Sequence, residues 1–289
     1  MTAPADLRPL IAAPHPDVAP LPPAAPAGGG VRLLRGVPYA ELPGIRPPEL
    51  DLWLPENADA DALPLLLFVH GGAWRRGRRE DMGHRMRGWH PGPLARIAAA
   101  GFAVASADYR LSGEAVFPAP LDDLRAALAW IARRAGELGV DTTRTVVWGE
   151  SAGGHLAALL AQTEEAPRVR GAVVWYAPSD LTLDGDDPHT PQALLLGGAP
   201  ATRPELAARA SPLHGVRPGA PPFFLAHGAN DTMVDCDHTR RLAARLTEAG
   251  VPVETRIVPG ADHVWVGLPD DELESVFSAS LEWALRRVE

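Results

Sequence analysis

The order of apolar segments along this 289-residue chain predicts an α/β domain, with a mostly parallel central sheet, helices on both faces and a small cap insertion. Three observations carry the expectation. Short β-type runs alternate with segments of helical period from about residue 50 to the end. One of those runs, Leu65-Leu66-Leu67-Phe68-Val69, is apolar at every position. A stretch rich in Pro, Gly, Asp and His, residues 181–215, breaks the alternation once. Parallel strands joined by helices are covered on both faces, so a central strand has no polar side to display. A hydrophobic content of 46% is ample for one such core, and the length suits a single domain over residues 31–289.

The elements follow in order. Residues 1–30 hold eight prolines, end in Gly28-Gly29-Gly30 and show no apolar period, which predicts a Pro/Gly-rich arm, free or folded over the site. Leu50-Asp51-Leu52-Trp53-Leu54 alternates with a period of two, as a half-buried strand near a sheet edge does. After the apolar run at 65–69 come a strand at 102–106 and an amphipathic helix over 121–135, with Leu124, Leu128 and Ile131 on one stripe. Strands at 145–148, 172–175, 223–226 and 253–258 follow, with helices from Ser151, over 239–249 and over 270–288. Residues 204–210 carry a short helical pattern inside the cap insertion. Ligand and catalytic groups on such a sheet gather at the carboxyl ends of the strands.

Composition excludes several chemistries. The chain contains no lysine, every basic residue being Arg or His, so Schiff-base catalysis, a Walker-type phosphate lysine and a serine–lysine dyad are ruled out. Cys236 is the single cysteine, which removes internal disulfides and cysteine-based metal sites; its acidic neighbours Asp235 and Asp237 disfavour a reactive thiolate. A net charge of −9 without long runs of one sign points to neither nucleic acid nor an anionic membrane as partner. No segment has the length of a membrane span and the N-terminus lacks a secretory pattern, so a soluble, cytoplasmic protein is expected. Asp184, Asp186 and Asp187 lack the glycine and distal glutamate of a calcium loop and read as a solvated turn.

Two glycine motifs carry the chemistry. Gly149-Glu150-Ser151-Ala152-Gly153 fits the Gly-x-Ser-x-Gly nucleophile elbow, and it stands between a predicted strand and a predicted helix, as that motif requires. His70-Gly71-Gly72-Ala73-Trp74 follows the central apolar strand, where backbone N–H groups can turn toward a developing oxyanion. Gly72 and Ala73, together with Ala152 after the nucleophile, are the expected donors, each worth about 2.7 to 4 kcal/mol of barrier.

The chain order of a triad on this architecture is Ser, acid, His. His263, in Pro259-Gly260-Ala261-Asp262-His263 after the last strand, is the candidate base, and Asp231, in His227-Gly228-Ala229-Asn230-Asp231, the candidate acid. Asp235 and Asp237 read as helix-dipole or capping carboxylates, and Asp262 adjoins His263 too closely in sequence for triad geometry. His155 reads as packing, His227 as structural, and His189, His214 and His238 as surface or cap residues. Trp74, Tyr109 and Trp175 are candidate walls of the substrate pocket or, equally, core aromatics.

These motifs resemble the esterase and lipase branch of the α/β-hydrolase superfamily, the branch of BD-FAE-type carbohydrate esterases, hormone-sensitive-lipase-like esterases and kynurenine formamidases. The resemblance covers residues 50–289 and includes Ala107-Asp108-Tyr109-Arg110-Leu111 and Phe117-Pro118-Ala119-Pro120. It implies an α/β-hydrolase fold and a serine carboxylesterase, with Ser151 as nucleophile, His263 as base and Asp231 as orienting acid. It also implies a small-molecule ester of short acyl chain as substrate and no cofactor or metal. Ala73 followed by Trp74, where hormone-sensitive-lipase relatives carry a third glycine, is similar to the BD-FAE and formamidase pattern. Arylformamide hydrolysis is therefore a second reading, and a non-catalytic ligand-binding member of the fold a third.

Overall fold

The computed structural model describes residues 14–56, 62–163 and 169–289. Among the described residues, nine strands form one sheet in the order β1-β2-β3-β5-β4-β6-β7-β8-β9. They are β1 Ala25–Gly28, β2 Val31–Pro38, β3 Glu49–Pro55, β4 Leu63–Val69, β5 Ala103–Ala107, β6 Val140–Glu150, β7 Val169–Trp175, β8 Phe223–Gly228 and β9 Val253–Val258. The pairs among β1, β2, β3 and β5 are antiparallel, and from β5 to β9 the sheet is parallel.

Helices cover both faces. On one lie α1 Pro93–Ala99 and the C-terminal α8 Asp270–Leu285. On the other lie α2 Ala119–Arg133, α4 Ala152–Ala161 and α7 Asp237–Glu248; the short α3 Ala135–Leu138 follows α2. β4 shows why its run is apolar throughout. Leu65, Leu67 and Val69 belong to the apolar layer that includes Leu124, Leu156 and Leu242, while Leu66 and Phe68 belong to the opposite layer that includes Ile97, Val276 and Phe277. Between β7 and β8 the expected insertion is built of single turns and two short helices, α5 Pro191–Leu196 and α6 Pro204–Arg209.

The structure departs from expectation at the sheet's first edge. Part of the segment read as an arm joins the sheet: β1 and β2 form a hairpin whose connecting Gly29 and Gly30 stand at φ +63 and +72. Positive φ at both loop positions suits a two-residue hairpin turn, which explains the glycines better than a linker does. Pro26 is tolerated because β1 is an edge strand. Residues further back lie along the C-terminal end of α2, where Trp130 Nε1 donates to Pro16 O (3.0 Å) and Arg134 donates to Pro16 O and Ala19 O. That end of α2 leads into the start of β6, away from the carboxyl ends of the strands. Residues 1–13 lie outside the described residues.

β3 also departs from expectation, being buried on both faces instead of half-open. Asp51, the polar position of its alternation, is only 1% exposed, and its Oδ1 accepts hydrogen bonds from Arg79 Nε (2.7 Å) and Gly36 N (2.8 Å).

Candidate active site

Register brings the motifs together. Val69 lies opposite Gly149 and Glu150 opposite Trp175, so the loops leaving β4, β6 and β7 emerge side by side. The β8–β9 register, Gly228 opposite Val258, does the same for the loops bearing Asp231 and His263.

Ser151 occupies the turn between β6 and α4 at φ 50, ψ −122, a strained position for an L-residue. The turn is held by its own N–H bonded to Trp175 O at 2.8 Å and by close backbone approach on either side. A Cβ on Gly149 would fall 2.3 Å from Gly153 O, and one on Gly153 would fall 2.1 Å from Val69 O. Only glycine fits at either place, which is the physical content of the pentapeptide.

His263 begins a tight turn with positive φ at Val264 and Trp265. Asp262 Oδ1 accepts the His263 N–H (2.6 Å) and the Thr232 N–H (2.7 Å), tying the His263 loop to the Asp231 loop. Asn230 reinforces the tie by accepting from Gly260 N at 3.0 Å. Asp262 thus joins two loops, while Asp231 faces the imidazole. Arg85 fastens the far side of the turn by donating to Trp265 O and Leu268 O, both at 2.8 Å.

A continuous chain of hydrogen bonds results. Asp231 Oδ2 lies 2.7 Å from His263 Nδ1, and His263 Nε2 lies 3.1 Å from Ser151 Oγ. A carboxylate only accepts, so Nδ1 carries the hydrogen and Nε2 is left to receive the hydroxyl proton of Ser151. The Asp231 side chain is fully buried, and its Oδ1 accepts the N–H groups of Met233 (2.9 Å) and Val234 (2.8 Å). Burial opposes its ionisation, but hydrogen bonds from His227, His263 and Val234 outweigh that and hold the carboxyl well below the usual carboxylate range. Asp235 accepts the Asp237 N–H just before α7, and Asp237, in the first turn of that helix, pairs with Arg240.

The loop after β4 is clamped from several directions. Tyr109 OH donates to His70 O (3.0 Å), Ser112 N to Trp74 O (2.7 Å), and Arg75 N and Arg76 N to Gly72 O. Gly72 stands at φ +119, where a Cβ would lie 1.9 Å from Arg76 O. The Gly71 N–H points to Glu150 Oε1 at 3.4 Å, whereas the N–H groups of Gly72 and Ala73 have no acceptor among the described residues.

Glu150, the variable position of the elbow, carries more than the motif reveals. It is buried, and Tyr176 OH donates to its Oε2 while the Tyr176 ring packs edge-on against His263 at 4.9 Å. Burial pushes the Glu150 carboxyl up, against the hydrogen bonds from Tyr176 and Gly71. Nothing in the local sequence marks this pair, because Glu150 and Tyr176 meet only through the β6–β7 register.

The three aromatics considered for the pocket are core residues by their contacts. Trp175 is fully buried, packs edge-on against Trp148 and Trp265, and donates from Nε1 to Ser280 Oγ at 3.0 Å on α8. It belongs to the α1/α8 face, since its strand position points it there, and it is no pocket wall. Tyr109 stacks on His70 at 4.5 Å, and Trp74 meets His155 edge-on at 5.0 Å, both nearly buried beneath the glycine loop. His155 donates from Nε2 to Ala210 O (2.6 Å), and burial lowers its pKa to about 4. Cys236 is buried too, and burial raises its thiol pKa.

A cavity of about 580 Å³ opens beside this region, with Asp81, Met82, Met86 and Arg87 in its walls. The same stretch of chain abuts the elbow, since a Cβ on Gly83 would lie 3.3 Å from Glu150 Oε2. Among the described residues no group of three or more His, Cys, Asp or Glu side chains could hold a metal ion, and no helix is long and apolar enough to cross a membrane.

The strand order, the elbow at the end of a central strand and the Asp231 and His263 loops at neighbouring carboxyl ends define an α/β-hydrolase fold. Solved esterases share the fold: a bacterial heroin esterase is 31% identical at a TM-score of 0.74, over 90% of this chain and 85% of its own. The chain belongs to the BD-FAE family, whose profile matches residues 50–246. Among curated relatives, carboxylesterase NlhH of Mycobacterium tuberculosis is 33% identical over 71% of this chain and 67% of its own. The probable carboxylic ester hydrolase LipM of the same organism is 29% identical over 83% of this chain and 62% of its own. The chain spans 56 to 62% of the length of LipM and of the related esterases LipC and LipQ.

Proposed function

We propose that this chain hydrolyses carboxylic esters of short acyl chain through an acyl-enzyme on Ser151. The observation that carries the reading is the hydrogen-bonded path from Ser151 Oγ through His263 to Asp231, at 3.1 and 2.7 Å. His263 Nε2 takes the Ser151 proton as Oγ attacks the acyl carbon. The N–H groups of Gly72, Ala73 and Ala152 receive the oxyanion, and His263 then gives its proton to the departing alkoxide. Water repeats the sequence: its proton goes to His263, its oxygen attacks the acyl carbon, and the proton returns to Ser151 Oγ as the acid leaves. Asp231 keeps the imidazole in the required tautomer and stabilises the imidazolium between steps. Esterase names among relatives of about 30% identity support ester over other acyl bonds. An acetyl-hydrolase of Streptomyces hygroscopicus and an ethyl acetate hydrolase of Pseudomonas putida among the relatives support a short acyl group. Residues 181–215 act as the cap in this reading.

Turnover of p-nitrophenyl acetate, butyrate and octanoate beside N-formylkynurenine, in wild type and Ser151→Ala, tests the reading. The expected result is ester cleavage that declines with acyl length and disappears in Ser151→Ala. Dominant formamide cleavage would replace ester by arylformamide as substrate, and undiminished turnover in Ser151→Ala would sink the mechanism.

A further inference from the structure

The cycle above gives His227 no proton to carry, yet this histidine touches the proposed acid. It stands near the end of β8, is completely buried, and has a partner on each ring nitrogen. Nδ1 lies 2.7 Å from Thr239 Oγ1 on α7, while Nε2 lies 2.9 Å from Val234 O and 3.2 Å from Asp231 Oδ2. A carbonyl and a carboxylate only accept, so Nε2 carries the hydrogen and Nδ1 of the neutral ring takes the hydroxyl hydrogen of Thr239. Asp231 is then saturated: Oδ1 has two backbone N–H donors, and Oδ2 is shared by the imidazoles of His227 and His263.

We propose that His227, locked by Thr239, is a positioning residue of the triad that fixes Asp231 Oδ2 and divides its hydrogen-bonding capacity between two imidazoles. The inference rests on the triad reading of Ser151, His263 and Asp231. Its physical consequence has a definite sign. A carboxylate oxygen already engaged by His227 stabilises the His263 imidazolium less than one engaged by His263 alone, so removing the second donor raises the basicity of His263. A loosened carboxylate also orients the imidazole less well, which lowers kcat more than it changes KM. Other titratable groups face the pair: Tyr176 and Glu150 toward His263, Asp262 on its loop, and Asp235, Cys236 and His238 at the start of α7. They are the same in every variant compared, so a difference between variants reports His227.

The test uses the full chain with three substitutions. His227→Leu keeps bulk and removes the donor, His227→Gln restores an N–H in the place of Nε2, and Thr239→Val releases Nδ1 while leaving the histidine. Profiles of kcat and kcat/KM against pH are recorded with p-nitrophenyl acetate, and labelling by a fluorophosphonate probe is compared with Ser151→Ala. In His227→Leu the acid limb of kcat/KM is expected to move up by about half to one pH unit. Its plateau kcat is expected to fall about tenfold, with KM nearly constant. Thr239→Val should show the same displacement in smaller degree, and His227→Gln should return the limb toward wild type. A limb that coincides with wild type in both His227→Leu and Thr239→Val overturns the proposal and makes His227 a packing residue. Should His227→Leu fail to fold by circular dichroism, Thr239→Val decides alone. Absence of Ser151-dependent labelling in wild type would sink the underlying triad reading, whereas labelling with an unmoved limb sinks only the role of His227.

Discussion

Replacing Arg79 by Met would test how the loop that follows the glycine motif is anchored. The guanidinium donates from Nε to Asp51 (2.7 Å), from Nη2 to Glu49 (2.9 Å) and from Nη1 to Asp108, pinning this loop to β3 and to the end of β5. These partners are unequal. The side chains of Glu49 and Asp108 are 43% and 38% exposed, so losing either pair costs about 1 kcal/mol or less. Asp51 is 1% exposed and would keep only the Gly36 N–H, and stranding a buried carboxylate costs about 3 to 5 kcal/mol. The buried pair therefore sets the total, an unfolding free energy lower by about 3 to 5 kcal/mol in urea titrations followed by circular dichroism and tryptophan fluorescence. Most of that loss comes from the stranded charge, so Arg79→Met combined with Asp51→Asn should recover more than half of it. A loss in Arg79→Met below about 1 kcal/mol, or a double variant no more stable than the single one, would refute the assignment.

Two other perturbations separate buried groups by the sign of their pH dependence. Burial lowers the pKa of His155 from 6.5 to about 4, so the unfolded chain binds the proton more tightly and stability falls as pH drops through that window. The contribution is about 3 kcal/mol, and His155→Gln should flatten the urea midpoint over this range, while an unchanged slope would show that the ring is not held neutral. Glu150 has the opposite sign. Its folded pKa is raised, so it costs stability as pH rises above the ordinary glutamate value. Glu150→Gln should therefore gain on wild type from acid toward neutral pH, and a constant difference in thermal midpoint would contradict that.

Much of the site was legible because it rests on local backbone demands. The elbow glycines at 149 and 153 leave no room for a Cβ, and Gly72 adopts a φ that other residues avoid, so these requirements are written as residue types at fixed spacing. The order of strands and loops singled out His263 and Asp231 as candidates, since a parallel sheet places successive strand ends along one edge. The run 65–69 likewise announced its own burial, because every position in it faces a layer of helices.

What needed the tertiary structure were contacts between segments distant in sequence, whose partners depend on register and on which face a side chain takes. The hairpin of β1 and β2 was hidden because a Pro/Gly-rich composition describes an edge strand with a two-residue turn as well as a linker. Trp175 looked the same as a pocket wall until the sheet turned it toward Trp148 and Trp265. Asp51 was the polar half of an ordinary alternation until Arg79 arrived from another loop. The pairing of Glu150 with Tyr176 and of His227 with Asp231 belongs to the same class. Residue type records that such a group can make a hydrogen bond, and only the folded chain decides which partner lies within about 3 Å to receive it.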